Sequence, residues 1–208
     1  MSQRDPSWFA MRSGRFTGSR FAKLMAKTKS GPSASRKNLI AELVVERITG
    51  QCVTGYTNAA MQRGIELEPD ARSAYEMLAG VFVEEIDFIV HPKFDFCGVS
   101  PDGLIDADRM VELKCPDAMG KHLDALQNGS HADEYMWQIQ GQLWVAGREW
   151  NDAVSYDPRW PMPMDLAVKR VHRDEKMIAE LEAECIAANE EVNEIVKKLT
   201  VEQMKEAA

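Results

Sequence analysis

The stretch from Ser100 to Pro116, SPDGLIDADRMVELKCP, constrains this chain more than any other. Met110 to Cys115 alternates with the period of a β-strand, which places Glu112 and Lys114 on one face and Val111, Leu113 and Cys115 on the other. Pro116 stops the strand. Pro101-Asp102-Gly103 reads as a turn at the end of the apolar run Phe94–Val99. A hairpin between that run and the Glu112 strand then brings Asp102 beside Glu112 and Lys114. Two carboxylates and an amine at one spot meet the requirements of a hard divalent cation with an activated water. The same letters also have a plain explanation, since acid-x-Lys is common in strands and an Asp in a Pro-Asp-Gly turn needs no function.

The chain has 208 residues, 45% hydrophobic and 28% charged, so it is expected to form one soluble domain, 1–208, with a sizeable core. No apolar run approaches membrane-spanning length, and Met1 to Asp5 does not open a signal peptide, which predicts no membrane association. Cys52, Cys97, Cys115 and Cys185 are scattered without C-x-x-C spacing. That spacing predicts reduced thiols in a cytoplasm and argues against zinc or an iron–sulfur cluster. His91, His122, His131 and His172 show no ligand spacing either and are read as surface or core residues.

The net charge of −8 matters less than its distribution. Residues 1–40 carry nine Lys or Arg against Asp5 alone, while residues 174–206 carry ten acids against four lysines. A basic front and an acidic back suit a chain that grips a phosphate backbone on one side, or one with an ordinary solvated basic face.

Trp8–Arg12 and Arg20–Met25 read as two short helices joined by a turn, with Thr17 or Ser19 as N-cap. A helix start with a hydroxyl and a nearby arginine is equally a phosphate site. Lys27–Lys37 is a basic Gly/Pro/Ser-rich loop, Asn38–Gly50 a helix, and Gln51–Asn58 a loop. A helix over 59–79 carries Pro69, which kinks it or opens a new helix. There Glu68 shares a face with Ile65, Ala71 and Tyr75, which turns its carboxylate toward the apolar side. Such a carboxylate needs a metal or a partner, and Arg72 is the alternative partner. Val81–Val90 and Phe94–Val99 read as core strands of one sheet, and 117–131 as a polar loop. Asp133–Gly147 is expected as one helix, with Tyr135, Gln138 and Gln142 on one face. Strands follow at Asp152–Tyr156 and Asp165–Arg173, and a long amphipathic helix starts at Asp174. The turn Tyr156–Arg159 faces either DNA or a second subunit.

The strings quoted above combine into a resemblance. An Asp in a Pro-Asp turn, followed at hairpin distance by Glu-Leu-Lys, resembles the PD-(D/E)xK nuclease signature. SPDGL and ELKCP, with W-x3-R-x-G-x2-T-x-S from Trp8 and Y-M-x-Q-x-Q from Tyr135, resemble more narrowly the phage lambda exonuclease and YqaJ-like viral recombinase family. The resemblance runs from Trp8 to about residue 196. It implies an α/β fold of the restriction-endonuclease-like kind, a central mixed β-sheet flanked by helices, closed by the long C-terminal helix. It also implies Mg2+, with Mn2+ as a substitute, held by Asp102, Glu112, the backbone carbonyl of Leu113 and Glu68. Lys114 would orient or deprotonate the attacking water, with its pKa depressed by adjacent cations and partial burial. Gln138 matches the glutamine that contacts the lysine and the water. Arg12, Ser19 and Ser100 match the pocket for the 5′ phosphate of the DNA strand.

The implied activity is 5′→3′ digestion of one strand of linear double-stranded DNA, leaving 3′ tails for phage-type recombination. The implied partners are duplex DNA ends, two further copies of the chain in a homotrimeric ring, and a single-strand annealing protein, all in the cytoplasm of a bacterial host. Two rivals stand beside this reading. One is a restriction-type or repair endonuclease of the same fold, which would cut an end-free plasmid. The other is a catalytically inert DNA-binding module, which would digest nothing.

Overall fold

The computed structural model describes residues 5–29, 31–53 and 58–206. Helix α1 (Pro6–Arg12) begins at Asp5, whose carboxylate accepts the Trp8 N–H. The residue pair β1 (Phe16–Thr17) leads into α2 (Gly18–Met25). A small hairpin, β2 (Lys27–Thr28) and β3 (Gly31–Pro32), replaces the first part of the expected loop. Ser33 then caps α3 (Ala34–Thr49), so this helix starts four residues before the expected Asn38; Gly50 closes it in a left-handed conformation. Part of the loop expected over Gln51–Asn58 lies outside the described residues. Helix α4 (Ala59–Ala79) runs through Pro69, whose missing N–H leaves the Ile65 carbonyl without its helical donor.

The next segment departs from expectation. Of the run Val81–Val90, only β4 (Ile89–Val90) joins a ladder, and Glu84 adds one isolated bridge to Leu104. Val83 is buried while Phe82 stands 80% exposed, so this run has no continuous buried face to hold it as a strand. β5 (Cys97–Val99) pairs with β4 antiparallel and with β1 parallel, forming a small three-stranded sheet of its own. The hairpin partner of the Glu112 strand is therefore not the Phe94–Val99 run. It is β6 (Gly103–Ile105), the short piece just after Asp102, which pairs antiparallel with β7 (Arg109–Lys114).

Residues 117–131, expected as a loop, fold into α5 (Met119–Asn128) and the start of α6 (Ser130–Glu134). The weak sequence period hides the reason: His122 is fully buried, bonded to the Ser155 hydroxyl at 2.9 Å and the Met164 carbonyl at 2.8 Å. The single helix expected over Asp133–Gly147 is broken at Tyr135, which leaves helical geometry, and α7 (Met136–Ala146) follows. β8 (Trp150–Tyr156) and β9 (Leu166–His172) complete the main sheet, and α8 (Glu175–Glu206) runs along one side.

The main sheet has the order β6-β7-β8-β9, with β7 and β8 parallel and the outer pairs antiparallel. The parallel step requires a crossover, and α5, α6 and α7 supply it. One sheet face packs Val111, Leu113 and Val154 against Ala71 and Tyr75 of α4. The other packs Met110 and Ala153 against Ile139 and Leu143 of α7. A third cluster joins α2, α3, α7 and the buried stripe Ile178, Leu181, Cys185, Ala188 and Val192 of α8. Gly141 permits the close approach of α2 to α7, since a Cβ there would stand 2.2 Å from the Phe21 ring. The four cysteines are free. Among the described residues no helix is long and apolar enough to cross a membrane.

Candidate active site

Strand β7 delivers Glu112 and Lys114 to the α7 face of the main sheet, as its alternation requires. Asp102 sits at the entrance to β6, and its Oδ2 accepts the Leu113 N–H at 2.7 Å. That bond ties the turn to the middle of the strand and sets the acid beside Glu112. Glu112 is only 2% exposed. Its Oε1 accepts from Lys114 Nζ and from Gln138 Nε2, and its Oε2 from Gln142 Nε2, both glutamine bonds 2.5 Å long. Gln142 in turn accepts from Asn151 Nδ2 at 3.0 Å. Lys114 Nζ lies 4.6 Å from the centre of the Tyr135 ring.

Of the two partners the sequence left open for Glu68, Arg72 is present. Glu68 lines the same cleft, and it pairs with Arg72 at 3.2 Å. Arg72 also reaches the Asp102 carbonyl at 3.4 Å, linking α4 to the turn. Burial, then the negative charges of Glu112 and Glu68, holds the Asp102 carboxyl well above its ordinary range, against the opposing pull of Lys114. Burial lowers the Lys114 pKa, but Glu112 and Asp102 outweigh burial and hold it above the ordinary lysine value.

The N-terminal pocket also assembles. The Arg12 guanidinium lies 4.2 Å from the centre of the Trp8 ring and donates to Thr17 Oγ1 at 3.2 Å and Ser19 Oγ at 3.5 Å. Thr17 makes no side-chain cap to α2, so these hydroxyls serve the arginine and not the helix start. Burial, then the like charge of Arg20, lowers the Arg12 pKa to about 10. The Trp8 indole N–H donates to the Ser100 hydroxyl at 2.8 Å, which places Ser100 behind Trp8. Trp8, Arg12, Ser19, Glu68, Asp102 and Lys114 all line one cleft of about 1150 Å³.

The basic front is only partly free for a ligand. Arg20 is committed to buried Glu46, and Arg36 to Glu184 and Glu191 on α8. Sequence reasoning missed Asn151 and gave Gln142 no role. Their signal, polar letters inside the apolar strings of β8 and α7, is present but names no partner.

The donor set suits a hard cation: Asp102, Glu112 and Glu68 supply carboxylate oxygens and Leu113 a carbonyl. The charges of Glu112 and Glu68, which raise the Asp102 pKa, mark a local shortage of positive charge. Among the described residues no three His, Cys, Asp or Glu side chains are grouped so as to hold a metal ion. A cation that keeps several waters is held by fewer protein ligands.

Comparison with known proteins shows the family and the fold. No curated protein sequence matches the chain. Over 97% of its length it is 40% identical to the alkaline exonuclease LHK-Exo from Laribacter hongkongensis, covering 99% of that chain with a TM-score of 0.89. The structure of LHK-Exo in complex with dAMP matches with the same figures. A phage-related exonuclease from Haemophilus somnus 129PT is 16% identical over 89% of this chain and 96% of that one, with a TM-score of 0.72, which shows a shared fold alone. Residues 7–149 match the YqaJ-like viral recombinase domain, and the chain belongs to that family.

Proposed function

We propose that this chain is a magnesium-dependent 5′→3′ exonuclease that digests one strand of linear double-stranded DNA and leaves 3′ single-stranded tails for recombination by strand annealing. Family membership and the likeness to an alkaline exonuclease make it a nuclease acting on DNA in recombination. The observation that carries the finer reading is the Asp102–Leu113 bond. It joins the acidic turn to the Glu112-Lys114 strand at the floor of the cleft that also holds Arg12 and Ser19.

Asp102, Glu112, the Leu113 carbonyl and Glu68 would hold Mg2+, with Mn2+ able to replace it. When bound, such an ion activates a water and offsets charge on the phosphodiester. Lys114 orients or deprotonates that water. Gln138 fixes the Glu112 carboxylate. Arg12 and Ser19, with Ser100 setting the Trp8 platform, select the 5′ phosphate, because a guanidinium matches phosphate geometry better than an ammonium does. The relative crystallised with dAMP holds a mononucleotide, the class of product this reading requires. The whole chain acts as one nuclease domain, assembled as a homotrimer around the duplex and working with an annealing protein in the bacterial cytoplasm.

The test is digestion of linear duplex with 5′-phosphate or 5′-hydroxyl ends, with Mg2+, Mn2+ or EDTA, beside a closed circular plasmid. The expected result is digestion of the phosphorylated linear DNA with either metal, none in EDTA, and an intact circle. Cleavage of the circle, or equal rates on both ends, would refute the exonuclease reading. Light scattering on the purified chain tests the trimer.

A further inference from the structure

The turn Tyr156–Arg159 takes no part in the site described above. Asp157 is fully buried. Its Oδ1 accepts from Arg63 Nη2 at 3.3 Å, Arg159 Nε at 2.7 Å and the Arg159 backbone N–H at 3.1 Å; its Oδ2 accepts from Arg159 Nη2 at 2.7 Å. Both guanidiniums reach past it to one short run of backbone. Arg63 Nη1 donates to the carbonyls of Cys115 at 3.2 Å and Pro116 at 3.0 Å. Arg159 Nη2 donates to those of Pro116 at 3.3 Å and Asp117 at 2.8 Å. This run starts immediately after Lys114. The β7–β8 ladder ends at the pair Lys114–Ser155, and Pro116 has no N–H to extend it. The sheet does not hold residues 115–117; the arginines do.

A buried carboxylate is costly unless its lone pairs are filled, and Asp157 fills them with two guanidinium forks, each of which also donates from one nitrogen to a pair of neighbouring carbonyls. One fork comes from α4, which also carries Glu68, and the other from the β8–β9 turn. We propose that Asp157, Arg63 and Arg159 form a clamp that fixes the end of β7, so that the Lys114 side chain and the Leu113 carbonyl stay aimed into the cleft. They are positioning residues for the nuclease reaction, and this role rests on the functions given above to Lys114 and Leu113. The competing role is direct contact of the two arginines with DNA phosphates. The two differ in what lysine can replace: a lysine keeps the charge a phosphate needs but lacks the second nitrogen with which each arginine holds Asp157 and the carbonyls at once.

The experiment compares Arg63→Lys, Arg159→Lys, Asp157→Asn and Lys114→Ala on 5′-phosphorylated linear duplex with Mg2+. It measures kcat and KM, and confirms folding by far-UV circular dichroism. Arg63→Lys and Asp157→Asn are expected to lose roughly 10- to 100-fold in kcat with KM unchanged, the usual effect of removing a supporting partner. Arg159→Lys, where the backbone N–H bond to Asp157 survives, is expected to lose less. Parental kcat in folded Arg63→Lys and Arg159→Lys, or a loss confined to KM, would overturn the clamp. Should Asp157→Asn fail to fold, the two charge-retaining variants still decide. An inactive Lys114→Ala beside fully active clamp variants overturns the clamp alone. A fully active Lys114→Ala overturns the site assignment and the clamp's purpose with it.

Discussion

Substituting Gln142 by Leu tests whether Glu112 is held by the amide relay behind it. In the parent, Gln142 Nε2 donates to Glu112 Oε2 while Gln142 Oε1 accepts from Asn151 Nδ2. Both residues are buried, and Asn151 Oδ1 has no partner, so this bond is what the Asn151 side chain has. The Gln142→Leu change would remove one bond to a charged group, worth about 1.5–3 kcal/mol, and leave a buried amide unpaired at about 1–3 kcal/mol. Its added apolar surface returns about 1–2 kcal/mol. The net expectation is a loss of about 2–4 kcal/mol, and a drop in Tm of about 5–15 °C at this chain length. The assay is urea and thermal unfolding by far-UV circular dichroism, in EDTA and at one protein concentration so that assembly does not enter the midpoint. Adding Asn151→Val removes the unpaired amide, so the double variant should recover about 1–2 kcal/mol relative to the sum of the singles. A Gln142→Leu variant within about 0.5 kcal/mol of the parent, with no coupling to Asn151, would refute the relay.

Three further outcomes follow from the packing and charge described. Burial raises the Glu46 carboxyl, but the bonds from Arg20, Gly14 and Val53 outweigh it and hold its pKa below the ordinary range. Its contribution to stability is therefore full above about pH 4.5 and lost as pH falls through the lowered folded value, so the Tm gap between parent and Glu46→Gln should close toward about pH 3. A gap that widens in acid would contradict the sign. Gly141→Ala should cost about 1–3 kcal/mol by overpacking against Phe21 despite alanine's better helix propensity, read as a lowered urea midpoint; a raised midpoint would mean the α2–α7 contact relaxes freely. Arg12→Lys should raise KM about tenfold on 5′-phosphorylated ends and leave 5′-hydroxyl ends unchanged, because the planar group stacked on Trp8 is lost. Equal effects on both ends would remove the pocket's selectivity.

The acidic turn and the Glu-Leu-Lys strand are legible in the sequence because period-two alternation leaves a short strand few alternatives, and β7 obeys it. What joins them is not. β6 spans Gly103–Ile105 and is too short to show a period, so the longer Phe94–Val99 run reads as the partner. Residues 117–131 read as a loop for a related reason: α5 is held by His122 and Ala125 against the sheet, and two buried positions make a weak stripe. The break at Tyr135 is set by tertiary contacts, and no Gly or Pro marks it. The Tyr156–Arg159 string is visible but cannot be interpreted alone, because its partners Arg63 and Pro116 are distant in the chain.

The most direct measurement of the central claim is anomalous diffraction from a crystal of this protein soaked in manganese. The account predicts a peak between the side chains of Asp102 and Glu112, next to the Leu113 carbonyl, and its loss in Asp102→Asn. A fully soaked crystal of the parent protein with no peak there would contradict it.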